Sequence, residues 1–238
     1  MSAPNRLTDH VYWLPPGPPD RPSLCAVTGE RGTIWLDAGS SAAHAREFLR
    51  FLAEQGVQKP SHVVFTHSHW DHVFGAAELG AHVVAHERTA AYLEQLAATD
   101  WSDEALDSRV ASGENSRAHA ENVKAELPSP REVRVAPAEI VFREGLDFEL
   151  GGVGVQVRWV GGDHADDSTV MYVEPDGVLF LGDCLYEAPS GGYTAERALP
   201  LIEAVRSFGP ELLVEGHSET VLSAAELDEL IAEASATL

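Results

Sequence analysis

The chain has 238 residues, 44% hydrophobic and 23% charged, a globular composition that suffices for one compact catalytic domain spanning 1–238. Its formal net charge of −22, with Lys59 and Lys124 as the only lysines, repels polyanions and lacks the basic footprint of nucleic-acid binding; it serves solubility or steers a cationic substrate. No apolar stretch approaches the ~20 residues that span a bilayer, residues 1–6 lack the apolar core of a secretory signal, and Cys25 and Cys184 give no disulfide framework, so a cytoplasmic protein without membrane or nucleic-acid partners is expected.

Residues 11–14, 24–27 and 33–36 read as successive strands. Between the first two, Pro15-Pro16-Gly17-Pro18-Pro19 reads as a stiff, extended loop. Residues 41–54 have helical periodicity, with Ala45, Phe48, Leu49 and Leu52 on one face. The β-branched and aromatic run 61–66 reads as a buried strand, 73–79 as the start of a short helix, 81–85 as a strand and 88–97 as a helix. From 99 to 130 the sequence is polar, mixed in charge and weakly periodic, which leaves open a helical insertion or a loop over the site. Strands resume at 139–142, 146–150, 153–160, 169–173 and 178–181. Residues 195–208 and 224–236 close the chain as amphipathic helices, and no short repeat or linker divides it.

The most informative stretch is His67-Ser68-His69-Trp70-Asp71-His72, four potential metal ligands within six residues. Imidazoles and a carboxylate this close would crowd and partly repel unless a divalent ion held them, and these are the usual ligands of hydrolytic zinc. The stretch follows a strand, at the C-terminal end where sheet proteins commonly place their chemistry. His67 and His69, two apart, can point the same way while Asp71 and His72 turn to a neighbouring position. That suits two metal ions about 3.5–4 Å apart.

This HxHxDH pattern resembles the metallo-β-lactamase superfamily, whose metal ligands come from separated loops. The later loops have counterparts in the same order: Gly161-Gly162-Asp163-His164, Leu181-Gly182-Asp183, and Leu213-Val214-Glu215-Gly216-His217. The resemblance runs from roughly Leu7 to His217 and implies a four-layer αββα sandwich. It further implies two zinc ions per chain, the first held by His67, His69 and His164, the second by Asp71, His72 and His217, with Asp183 bridging them. Asp37 matches an early Asp that supports the ligands from behind in this family, although an Asp opening a turn before Gly39 reads equally well.

The implied activity is hydrolysis of a small molecule, in which a metal-bridging hydroxide attacks the carbonyl of a lactone, ester, thioester or β-lactam. Asp71 could also relay a proton as the tetrahedral intermediate breaks. Tyr186, three residues after Asp183, stands where acyl-homoserine lactonases of the superfamily carry a Tyr that contacts the substrate carbonyl; it donates to an oxyanion or packs beside the loop. Tyr193 is a weaker pocket candidate. Cys184 stands about where one lactamase class has a Cys ligand, but that class has Arg in place of His72, so Cys184 reads as a packing residue. The other histidines, His10, His44, His62, His82, His86 and His119, have no ligand spacing.

The family's Thr-Pro-Gly after the third-loop His is replaced by Ala165-Asp166-Asp167, and the acidic tail beyond His217 lacks the basic helical domain that binds glutathione in glyoxalase II enzymes. Two rival readings are an iron-dependent oxidoreductase of the same fold, persulfide dioxygenase-like, and a metal-binding protein without catalysis. Against the first, flavodiiron-type members have Glu where His69 stands, and the single-iron members need fewer ligands than are present.

Overall fold

The computed structural model describes residues 3–229. The first half of the chain runs β1 (Asn5–Arg6), β2 (Val11–Leu14), β3 (Leu24–Gly29), β4 (Gly32–Leu36), α1 (Ala42–Glu54), β5 (His62–Val64), α2 (Trp70–Val73), α3 (Ala76–Leu79), β6 (His82–His86) and α4 (Glu87–Ala98). It continues through α5 (Asp103–Ser112), α6 (Arg117–Glu126), β7 (Ile140–Phe142), β8 (Gly145–Glu149), β9 (Gly154–Trp159) and β10 (Thr169–Val173). After a 3-10 turn come β11 (Val178–Gly182), α7 (Ala195–Ser207), β12 (Leu212–Glu215) and β13 (Leu222–Ser223). The helix expected over 224–236 is described only as far as residue 229; the rest lies outside the described residues.

Strands β1 to β7 form one sheet in sequence order, and β8 to β13 form the second. Alternation along the strands explains how both faces are used. On β4, Ile34 and Leu36 point into a core between the sheets, where they meet Val155, Met171 and Phe180 of the second sheet. Trp35, between them, points outward and packs on Phe48 of α1 with ring centroids 4.9 Å apart. On the far side, Leu179 and Leu181 of β11 pack against Leu201, Ile202 and Val205 of α7. Helices therefore cover the outer face of each sheet, giving the expected αββα sandwich.

Two local expectations need correction, and the one left open over 99–130 is decided. The proline-rich segment does not stay extended: Gly17 and Arg21 exchange backbone hydrogen bonds of 2.9 and 2.8 Å, folding the chain into a tight turn that presents Asp20. The short helix after β5 begins at Trp70, so Asp71 and His72 sit inside a helical turn rather than on a loop. Residues 99–130 contain two capped helices. Ser102 and Ser116 accept from the amides of Ala105 and His119, and Gly113 ends α5 in the left-handed conformation at φ 79°. Leu106, Ala120 and Val123 of these helices are buried in the outer core.

Phe180 is fully buried where the two sheets meet, three residues before Asp183. Phe180→Ala should cost about 3–5 kcal/mol of unfolding free energy in a denaturant titration. A loss below ~1 kcal/mol would show that the sheets are not packed through this ring.

Candidate metal centre

Parallel pairing brings the chemistry to one end of both sheets. β4, β5 and β6 run parallel, as do β11 and β12, so Asp37, the His67–His72 segment, Asp183 and His217 all follow the C-terminal ends of their strands. β9, antiparallel to β10 as β10 is to β11, delivers His164 to the same end. The sheets touch there: the Thr169 amide donates to the Thr66 carbonyl at 2.7 Å, and the Ser23 amide to the Gly216 carbonyl at 2.6 Å. Gly182 has φ 53°, and a Cβ on it would lie 2.6 Å from Thr66, so only glycine permits this approach.

All seven expected ligands converge. Donor atoms of His67, His69 and His164 lie within 4.8 Å of one another, as do those of His67, His72 and Asp183, and those of Asp71, His72 and His217. Asp183 Oδ2 stands in the middle, 3.9 Å from His67 Nε2, 3.4 Å from His72 Nε2, 3.4 Å from His164 Nε2 and 3.5 Å from His217 Nε2. His217 Nε2 also lies 3.1 Å from Asp71 Oδ2, and His164 Nε2 lies 3.1 Å from His69 Nδ1.

His67, His69, Asp71 and Asp183 already carry the charge states a cation needs, whereas Asp183 and Asp71, against burial, raise His72 and His217, whose protons a cation would displace. Burial, then neighbouring His72 and His69, push the His67 imidazole well below its usual range; burial and His164 bring His69 to about 4. Both rings are therefore neutral, with lone pairs available. Burial opposes ionisation of Asp183 and Asp71, yet His72 and His217 hold both carboxyls well below the usual range. Burial likewise opposes a charge on His217, which hydrogen bonds to Asp183 and Asp71 nevertheless lift to about 10. Among the described residues, buried His67 Nε2, His72 Nε2 and Asp183 Oδ1 have no hydrogen-bond partner. Buried polar atoms left so are costly, and a metal ion would satisfy all three.

The supporting shell resolves the two readings of Asp37. It is fully buried at φ 60°, accepts from the Thr66 amide and hydroxyl at 2.7 Å each, and lies 2.7 Å from His72 Nδ1. Thr66 Oγ1 is also 3.0 Å from His67 Nδ1, a role the sequence did not signal because Thr66 reads only as the end of a strand. The Tyr186 hydroxyl accepts from the His217 amide at 3.1 Å, so its proton is free to donate elsewhere. Its ring lies between His164 and His217, at centroid distances of 6.0 and 6.4 Å. Tyr193 instead donates to the Leu185 carbonyl at 3.0 Å. Cys184 is buried against Leu201 and Ile202, and burial, then Glu215, keep its thiol protonated. None of the remaining six histidines joins these three ligand groups; His44, for example, is buried and accepts from the Ser40 amide at 3.3 Å. A polar cleft of about 470 Å³ opens beside the first triad, lined by Ser68, His69, Tyr92, Asp163, His164 and Arg197 among others.

Gly216 leaves no room for a side chain: a Cβ there would collide with Asp183 Oδ1 and stand 3.2 Å from His72 Cε1. Gly216→Ala should push Asp183 aside and weaken metal binding at least about tenfold in a chelator competition. Affinity within twofold of the parent protein would mean that Asp183 has freedom the packing denies it.

A family model described as the metallo-beta-lactamase superfamily matches residues 19–232. Among solved structures, a metallo-beta-lactamase from Pontibacter korlensis superposes with a TM-score of 0.66 at 19% identity, covering 99% of each chain. A metallo-beta-lactamase family protein from Thermus thermophilus gives 0.61 at 25% identity, covering 97% of this chain and 81% of that one. The chain is also 25% identical over 169 residues to the 2,4-dinitroanisole O-demethylase subunit alpha of Nocardioides sp. (strain JS1661), a match spanning 69% of this chain but only 42% of that protein. With the family model covering nearly the whole sequence, this chain belongs to the metallo-beta-lactamase superfamily.

Proposed function

We propose that this chain is a dinuclear zinc hydrolase in which hydroxide attacks the carbonyl of a small lactone, ester, thioester or β-lactam and the acyl C–O, C–S or C–N bond breaks. The observation that carries the reading is the position of Asp183 Oδ2, within 3.9 Å of imidazole nitrogens from both triads. His67, His69 and His164 would hold one ion, and Asp71, His72 and His217 the other, with Asp183 shared. When bound, the ion pair supplies a hydroxide nucleophile at neutral pH and polarises the substrate carbonyl.

The chain's own groups do the rest. His69 and His164 form the wall between the ligand cluster and the cleft, so a substrate entering there meets the centre side-on. The Tyr186 phenol, its oxygen fixed by the His217 amide, aims its proton at the carbonyl oxygen of the substrate. Asp71, buried and ionised beside His217, would first accept the proton of the attacking hydroxyl and then pass it to the leaving group as the tetrahedral intermediate breaks. The cleft, at about 470 Å³, has the size of small-molecule sites. Among the described residues no helix is long and apolar enough to cross a membrane.

A second reading comes from the relative whose name specifies O-demethylation of 2,4-dinitroanisole, an aryl methyl ether and not a carbonyl compound. The metal decides between hydrolysis and the iron-dependent oxidoreductase reading. Elemental analysis after purification, with a substrate panel of lactones, thioesters, β-lactams, phosphodiesters and activated aryl ethers, tests all of them together. Two zinc ions per chain and turnover of a carbonyl substrate are expected; at most one metal after zinc reconstitution would overturn the dinuclear assignment.

Asp183→Ala should abolish most hydrolysis while the far-ultraviolet circular dichroism stays near that of the parent protein. Near-normal turnover with full metal content would remove Asp183 from the bridging position. Tyr186→Phe deletes one hydrogen bond and little volume. It should lower kcat by up to about a hundredfold, ~3 kcal/mol, without changing zinc content. An unaltered kcat would reduce the phenol to a prop for His217.

A further inference from the structure

Four imidazoles of the centre turn a second nitrogen away from it, and the partners of those outer nitrogens differ. His67 Nδ1 lies 3.0 Å from Thr66 Oγ1, His72 Nδ1 2.7 Å from Asp37 Oδ2, and His164 Nδ1 3.2 Å from the Glu187 carbonyl. His217 Nδ1 has no hydrogen-bond partner among the described residues; facing it is Asp20, with Oδ1 at 3.9 Å. We propose that Asp20 is the positioning residue of His217, accepting its Nδ1–H and so aiming Nε2 at Asp71 and Asp183. This rests on the reading of His217 as a metal ligand.

The surroundings are built for that contact. Asp20 projects from the tight turn closed by Gly17 and Arg21. Arg21 anchors the turn through Nε to Glu126 at 2.9 Å and Nη1 to Glu47 at 3.0 Å, two residues on different helices. The Ser23 amide donates to the Gly216 carbonyl at 2.6 Å, which clamps the strand after the turn to the backbone that carries His217. The backbones of the two residues are thus fixed side by side. Closing the gap from 3.9 Å to a hydrogen bond takes a side-chain rotation of roughly 1 Å, and the side chains of His217 and Asp20 are 28% and 35% exposed, so neither is locked by packing. Asn122 of α6 stands beside Asp20, on the side of the site. A carboxylate behind a ligating imidazole fixes the ring and raises its basicity, as Asp37 does for His72.

The test uses the full chain with Asp20→Ala and Asp20→Asn. The first readout is the Nδ1–H proton of His217 in the NMR spectrum, assigned by its absence in His217→Gln and followed in metal-free and zinc-loaded protein. A downfield, exchange-protected signal is expected in the parent protein, lost in Asp20→Ala and partly kept in Asp20→Asn, whose amide oxygen still accepts. The second readout is zinc affinity by chelator competition, where Asp20→Ala should weaken one site about 10–100-fold and Asp20→Asn less. A His217 signal unchanged by Asp20→Ala, or zinc affinity within twofold of the parent in that variant, overturns the assignment. Should the parent protein bind fewer than two zinc ions, the dinuclear reading falls, while the NMR signal still decides the role of Asp20.

Discussion

A carboxylate withdrawn completely from water can stay ionised only if other groups donate to it, and Asp37 is such a carboxylate. Its donors are the Thr66 amide, the Thr66 hydroxyl and His72 Nδ1. Burial pushes its carboxyl above the usual range, and His72, with the hydrogen bonds from Thr66, offsets part of that rise. The three donors lie on either side of His67, so satisfying one buried charge fixes the start and the end of the ligand segment together. Thr66 then receives the Thr169 amide from the opposite sheet, and the second half of the centre is attached at the same point. Removing Asp37 would leave these donors buried and unpaired, a change of roughly 3–5 kcal/mol in comparable buried pairs.

The assembled cluster is chemically incomplete by itself. Five imidazoles and two carboxylates are packed so closely that burial and the neighbouring imidazoles keep His67 and His69 neutral, and several buried candidate ligand atoms find no hydrogen bond. Such an arrangement gives up stability in the metal-free chain in exchange for preformed coordination. It also explains why glycine stands at 182 and 216: any larger residue would occupy the space in which Thr66, Asp183 and His72 approach one another.

The contribution of α5 and α6 is easily overlooked because their sequence is polar. Leu106 and Val123 seal the outer core, while Glu126 and Asn122 reach toward the proline-rich turn through Arg21 and Asp20. Segment 99–130 thereby packs behind the turn that carries Asp20. Its caps, Ser102, Ser116 and Gly113, went unread in the sequence, because only a few positions of each helix are buried and the periodicity is weak.

The sequence by itself determined most strands, the long helices, the αββα architecture and the seven candidate ligands, because each rests on local chemistry or on ordered motifs. Alternating β-branched residues define strands whatever their neighbours, and His67, His69, Asp71 and His72 lie close along the chain in any fold. Tertiary structure alone decided what those groups touch. Asp37 was ambiguous until burial at φ 60° placed it behind His72, the contact of the Tyr186 hydroxyl with the His217 amide left no trace in the sequence, and Asp20 drew no notice until the turn folded back toward His217. The reason is separation: Asp20 and His217 are nearly the whole chain apart, and no local propensity records a contact made only when two sheets close on one another.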